Sequence, residues 1–310
     1  MSNQQDRVQP QRLERKYLVE ERDRIQPQRF EMKYLVEERV ALGIRDWVRS
    51  YLDVDEHGAT HADLSYPVHS IYLDSPDLML YRSTVNGDKN RFKLRLRFYE
   101  NRPGAPVFLE IKSRMNNCIS KQRSRVRAEA VDSLLAGYLP EPSHLVSQEP
   151  KQLMALERFC KLVNELRAQP RTHVAYLREA WISREDNSVR VTLDRQVCTE
   201  TDPVARLVPE MTNPVLVFGD QVILELKFTG RFPDWFKELV RVFELMQCGA
   251  AKYADGVTRL GAQTVSHTFS LDNFNPTAQE RLRRIDRAAA APQRNGQADG
   301  MAAILARRFS

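Results

Sequence analysis

The sequence predicts an α+β protein built on a closed antiparallel β-barrel with a charged lumen, packed by flanking α-helices. Three observations predict it. First, Arg91-Phe92-Lys93-Leu94-Arg95-Leu96-Arg97-Phe98 alternates with period two, so Arg91, Lys93, Arg95 and Arg97 share one strand face and four large apolar residues share the other. Second, the pattern recurs: at least six predicted strands alternate Lys, Arg or Glu with large apolar residues. Third, apolar stripes at helical spacing mark separate helices that can cover the apolar faces. A single such strand is equally the edge of a sheet with one wet face. Six of them fit better in a barrel turned inside out, apolar faces outward against helices and charges inward.

The elements follow in order. Arg7 to Arg22 is repeated nearly unchanged, seventeen positions on, as Arg24 to Arg39. Two copies at so short a period do not make a solenoid. The second copy runs directly into an amphipathic helix (Val40, Ile44, Trp47, Val48, Tyr51, Leu52), so it is expected to be the working strand and the first an extra edge strand or a disordered leader. Strands are predicted at 68–74, 91–98, 107–112, 121–127, 174–181, 189–194 and 222–228, with a turn at Asn86-Gly87-Asp88. Helices are predicted within 131–168, striped by Leu153, Leu156, Phe159, Cys160, Val163 and Leu166. Another runs from Pro233 through Met246, with Gly249 as its C-cap. The expected organisation is a leader over 1–26, a tunnel domain over 27–262 and an Arg/Ala-rich, largely disordered tail over 263–310.

Charge and composition narrow the function. The formal charge of +6 includes seven Arg against four acids in residues 271–310, so the body of the chain is not broadly basic. That argues against bulk-charge binding of nucleic acid and for a site made by arrangement. No apolar run reaches the roughly 18–20 residues of a membrane span, and Met1 to Asp6 has no signal-peptide core; the cytoplasm is the expected location. Cys118, Cys160, Cys198 and Cys248 are scattered without metal spacing, and His57 and His61 read as loop residues.

A lumen lined with cations cannot be dry and empty, because buried unpaired charges cost several kcal/mol each. Cations repeating every ~7 Å along strands suit a linear chain of phosphates. Glu31, Glu110 and Glu225 among them suit Mg²⁺ or Mn²⁺ bridging phosphate oxygens, or equally an ion pair with the strand neighbour two residues away.

The ordered set Glu31-Met32-Lys33-Tyr34, Lys93-Leu94-Arg95-Leu96-Arg97, Leu109-Glu110-Ile111-Lys112, Tyr176-Leu177-Arg178, Val189 to Asp194, Leu224-Glu225-Leu226-Lys227 and Lys252-Tyr253 resembles the VTC (vacuolar transporter chaperone) domain. That domain is the polyphosphate polymerase branch of the triphosphate tunnel metalloenzyme, or CYTH-like, superfamily. The resemblance implies a triphosphate tunnel in which the γ-phosphate of ATP is transferred to a growing polyphosphate chain with Mn²⁺ or Mg²⁺. It implies a catalytic wall of Lys33, Arg95, Arg97, Lys112, Arg178, Arg190 and Lys252, further phosphate-binding residues Lys93, Arg125 and Lys227, and Glu225 as metal ligand, with Glu31 and Glu110 as additional metal candidates. The implied partners are ATP and polyphosphate, with no specific nucleic acid, and a membrane protein that would hold the chain at a membrane periphery; oligomeric state is left open. Two departures stand out. Hydrolytic relatives resemble Glu-x-Glu-x-Lys on the first strand, whereas Arg29 (and Arg12 in the first copy) holds the first position here, and Ala251 stands where the family tends to carry Ser. A hydrolase of inorganic or nucleoside triphosphates and a non-catalytic polyphosphate-binding subunit are the alternatives.

Overall fold

The computed structural model describes residues 29–115, 118–186 and 188–266. The expected leader and nearly all of the expected tail, with the first motif copy around Lys16, lie outside the described residues. Ten strands form one antiparallel sheet: β1 (Arg29–Val36), β2 (Asp53–Val54), β3 (Ser65–Asp74), β4 (Asn90–Phe98), β5 (Pro106–Met115), β6 (Cys118–Arg127), β7 (Gln169–Ile182), β8 (Val189–Thr201), β9 (Val215–Leu216) and β10 (Val222–Thr229). The order is β1-β10-β8-β7-β3-β4-β5-β6, with β2 on β7 and β9 on β8. Every strand expected from alternation is present, and most extend a few residues further.

The apolar faces turn outward under helices. The outer residues of β1 and β10, among them Tyr34, Val36, Leu224 and Leu226, pack with Ala41, Ile44 and Val48 of α1 (Glu38–Val48). Leu109, Ile111 and Val126 of β5 and β6 pack with Leu156, Phe159 and Val163. Those three belong to the long helix that follows α2 (Met79–Val85) and α3 (Val131–Leu135), namely α4 (Pro150–Leu166). Burying each such side chain contributes about 1.5–3 kcal/mol, which fixes strand facing, since a one-residue slip would turn this set into the lumen. The C-terminal helices are α5 (Asp234–Val242), α6 (Lys252–Leu260) and α7 (Ala262–Val265).

Two expectations are corrected. The helix after Pro233 was expected to run to Met246 with Gly249 as its cap; α5 instead stops at Val242, and Glu244 takes a left-handed φ of 49°. The chain then leaves the helix to lie along β1, where the Cys248 amide donates to the Lys33 carbonyl (2.8 Å) and Gln247 bridges Tyr34. Met246 is left 85 % exposed. The same contact explains the second correction, that the sheet is curled but not closed into a hydrogen-bonded barrel. The free edge of β1 is partly taken by residues 247–248. On β6 the Val146 amide donates to the Arg125 carbonyl (3.0 Å) and Leu145 bridges Val126. The two edges approach each other, and a side-chain ion pair, Lys112 to Glu31 at 3.0 Å, spans the seam.

On the outer side of the sheet, His69 Nδ1 and His173 Nε2 meet at 3.1 Å, both rings fully enclosed and His69 stacked on Phe98. Burial pushes His69 down to about 4, and burial plus the neighbouring His69 push His173 down to about 3. Both are therefore neutral in the fold. The unfolded chain takes up protons from about pH 6.5 downward, so the stability they carry is complete above pH 6.5 and lost as pH falls toward 4. Melting temperature measured from pH 7.5 to 4.5 is expected to fall with a slope that His173→Gln reduces; an unchanged slope would show that the pair is not its source.

Candidate functional site

The inward faces carry the charge, and strand register sets it in rows. Across β4, β5 and β6 the rows are Lys93·Lys112·Lys121, then Arg95·Glu110·Arg123, then Arg97·Phe108·Arg125. Across β1, β10 and β8 they are Glu31·Lys227·Arg190 and Lys33·Glu225·Thr192, and Asp194 stands opposite Arg178 of β7. Period-two alternation put these residues on one face, and pairing brought the faces together.

Glu225 is the centre. Its carboxylate receives Lys227 (2.5 Å), Lys33 and Lys252 (3.1 Å each), Arg178 (3.5 Å) and the Thr192 hydroxyl (3.2 Å). Burial alone would push the Glu225 carboxyl up, but Lys227, Lys252, Lys33 and Arg178 together hold it well below the usual carboxylate range. Lys33 is pushed down by burial and, more strongly, up by Glu225 and Glu31. Lys252 rises for the same reason, with Asp194 (2.6 Å) and Glu225 outweighing its burial. Lys227 is the exception: burial prevails and brings it to about 8.

Lys252 opens α6, and its position depends on a buried carboxylate at the far end of β3. Asp74 accepts the amides of Leu80 and Tyr81 at the start of α2 (2.8 Å each) and the Tyr253 hydroxyl (2.7 Å). Tyr253 also stacks on Tyr72 at 4.8 Å, so the residue after Lys252 is fixed inside the sheet. Gly256 lets α6 approach β8: a Cβ there would meet Thr199 at 3.3 Å. The Ala251 amide donates to Asp255 (2.7 Å), and Lys33 Nζ donates to the Ala250 carbonyl (2.8 Å).

On the opposite wall Glu110 is fully enclosed. It pairs with Arg95 (2.7 Å) and Arg123 (3.2 Å), with Lys121 at 3.8 Å. Arg97 is buried and donates to the Tyr176 hydroxyl (2.9 Å), while Arg95 donates to that of Tyr72 (3.2 Å). The Tyr176 ring lies 4.8 Å from Lys252 Nζ and 5.1 Å from the Arg178 guanidinium, joining three cations from three elements. Arg190 reaches Asp55 of the loop after β2 (2.9 Å). Arg125 faces the same way from an exposed position, and Lys93 is half-buried.

The structure thus brings the sequence-expected cations into one lumen, and places Glu31 and Glu225 against the same Lys33 ammonium, at 3.4 and 3.1 Å. It does not bring Glu110 to them. Among the described residues no three His, Cys, Asp or Glu side chains gather closely enough to hold a metal. Glu225 with Glu31 is nonetheless a hard-oxygen donor pair of the kind that holds Mg²⁺ or Mn²⁺ when phosphate and water oxygens complete the shell. Such an ion would neutralise phosphate charge there. Sequence reasoning missed Tyr176, Tyr72, Asp194, Lys121 and Arg123 as site residues. Tyr176 and Asp194 stand in motifs that carried the resemblance and Lys121 and Arg123 in a strand marked by alternation, yet none was given a role, and nothing marked Tyr72.

The curled antiparallel sheet thus turns a cation-rich face inward. The VTC domain model matches residues 28–260, and the chain belongs to that family. Among solved structures it is similar to a candidate adenylate cyclase from Bacillus halodurans (15 % identity, TM-score 0.42, covering 76 % of this chain and 98 % of that one). It is also similar to the Mimivirus capping enzyme triphosphatase (12 % identity, TM-score 0.31, with the same coverage). No curated protein matches the chain. No helix among the described residues is long and apolar enough to cross a membrane.

The Lys227 environment generates a pH dependence. Lys227 loses its proton above about pH 8, and a bound polyanion would restore it, so binding takes up a proton there. Tripolyphosphate affinity is expected to fall by up to roughly tenfold per pH unit above 8. Lys227→Arg, which stays charged, should flatten the profile between pH 7 and 9.5 in calorimetric titration.

Proposed function

We propose that this chain is a polyphosphate polymerase that transfers the γ-phosphate of ATP to the end of a polyphosphate chain in its lumen, with Mn²⁺ or Mg²⁺ as cofactor. One observation carries the reading: cations outnumber carboxylates about threefold on the inward faces, in rows that run along the lumen as well as around it. Glu31, Glu110, Asp194 and Glu225 neutralise only part of that charge, and a linear polyanion matches the remainder.

In this reading Lys33, Arg178, Lys252 and Arg97 hold the reacting phosphates at the innermost point. Arg95, Lys112, Arg190, Lys93, Arg125 and Lys227 hold those on either side. Glu225, with Glu31, would hold the divalent ion. The terminal phosphate oxygen of the acceptor chain attacks the γ-phosphorus, the bond to the β–γ bridging oxygen breaks, and ADP leaves. No covalent enzyme intermediate is needed, because the substrate supplies its own nucleophile. Alignment of the two anions and neutralisation of their charge supply the rate. Arg29 supports transfer over hydrolysis. It stands two residues before Glu31 on the lumen face, beside Arg190, where it contributes a further cation and no carboxylate to activate water.

Incubation with ATP and Mn²⁺, with products resolved on a polyphosphate gel, tests the proposal. A ladder of long chains is expected, absent in Glu225→Gln and reduced by roughly 100-fold or more in Arg95→Ala/Arg97→Ala. Orthophosphate without a ladder would identify a hydrolase. Tight polyphosphate binding without turnover would identify a binding subunit. Glu225→Gln also leaves four cations without their shared anion, at a cost of about 3–5 kcal/mol. Its melting temperature in phosphate-free buffer is therefore expected to drop, and to recover on addition of tripolyphosphate.

A further inference from the structure

At the end of the lumen nearest Arg190 the charged rows give way to rings. Tyr66 of β3 and Tyr99 just past β4 continue the inward faces beyond Arg97, Phe108 of β5 stands beside Arg97 in the last charged row, and His57 reaches the rings from the loop after β2. His57 and Tyr99 are nearly parallel, 20° apart in plane and 6.3 Å between centroids; His57 and Tyr66 are 5.5 Å apart, and Phe108 meets Tyr99 edge-on at 5.9 Å. The Arg123 guanidinium lies 3.5 Å from the Phe108 ring.

Tyr66 is buried in a core cluster against which Tyr99 packs, while the outer part of the collar is open. The His57 side chain is 66 % exposed, and Tyr99 and Phe108 are half-buried. Its loop is nevertheless fixed. Asp55 accepts the Gly58 amide (2.9 Å), the Tyr66 hydroxyl (3.0 Å) and Arg190 (2.9 Å), and a Cβ on Gly58 would strike the Leu64 carbonyl at 2.7 Å. Asp55 thereby ties the ring-bearing loop to a phosphate-binding arginine. Tyr99 follows Arg97 by two residues, about 7 Å along the strand, which is the scale separating a nucleobase from its own phosphates.

We propose that His57 and Tyr99, flanked by Tyr66 and Phe108, form a stacking site for the base of a nucleoside triphosphate whose phosphates lie in the lumen. The inference rests on the phosphate-binding reading above and adds to it a reason for the donor to be a nucleotide. Stacking on an aromatic face tolerates every base, so the site favours nucleotides as a class over inorganic tripolyphosphate.

The test compares dissociation constants for ATP and inorganic tripolyphosphate, by calorimetry, in the full chain and in His57→Ala, Tyr99→Leu and Tyr99→Phe. His57 is exposed, so its truncation leaves the fold intact. His57→Ala and Tyr99→Leu are expected to weaken ATP by roughly five- to a hundredfold while leaving tripolyphosphate within twofold, and Tyr99→Phe, which keeps the ring, to retain ATP affinity. Unchanged ATP affinity in both truncations, or equal weakening of the two anions, overturns the stacking site and leaves the phosphate lumen standing. Failure of the unaltered chain to bind either anion overturns both.

Discussion

Enclosing a cation is the expense around which this molecule is arranged. A lysine or arginine taken out of water without a partner costs several kcal/mol, and the fold turns many of them inward. The register of the sheet meets that cost locally. Glu110 lies between Arg95 and Arg123 on neighbouring strands, and Glu225 lies beside Lys33 and within reach of Lys227, Lys252 and Arg178. Each carboxylate is thus shared among several cations. The sharing holds the cations in the lumen while leaving the inward faces with more cations than carboxylates.

The same arrangement links the seam of the sheet to its chemistry. Backbone pairing does not join β1 to β6, and the Lys112–Glu31 ion pair reaches past that seam from β5 to β1, both residues belonging to the inward rows. Glu31 is held below the usual carboxylate range by Lys112 and Lys33 against the opposing effect of burial. An anion or a divalent ion drawn to either partner acts on an ion pair that ties the two sides of the seam together. On the other side of the lumen Asp74 collects two amides and the Tyr253 hydroxyl, and α6 lies close enough to β8 that a Cβ on Gly256 would crowd Thr199.

How much of this was legible in the sequence follows from which signals are local. Strand faces are: Arg91 to Phe98 needs only a period of two, and every strand so marked is present. Alternation with Leu224 and Leu226 put Glu225 on a charged face, on a par with Glu31 and Glu110; only the resemblance to the VTC domain singled it out. Barrel closure was not, because it depends on what residues 145–146 and 247–248 do to the two edges, far from either strand in sequence. The early end of α5 is the same event seen locally: the apolar stripe runs on to Met246, yet the chain must leave the helix to reach β1. Tyr176 escaped because a tyrosine in an apolar strand reads as core. Only the assembled walls show that its hydroxyl and ring serve Arg97, Lys252 and Arg178.

The duplicated motif shows which face decides. The two copies carry the same charged residues in the same order, Arg12, Glu14 and Lys16 against Arg29, Glu31 and Lys33, so the chemistry of the lumen cannot distinguish them. They differ at the positions that β1 turns outward, Phe30 and Met32, for which the first copy has Leu13 and Arg15 in sequence. Phe30 stacks on Phe228 at 5.2 Å, and Met32 packs against the cluster beneath α1 and α5. Arg15 in the place of Met32 would set a cation into that apolar layer, and Leu13 would forfeit the ring contact, together a penalty of several kcal/mol. The strand that presents Lys33 to the phosphates is therefore selected by the two side chains that point away from them.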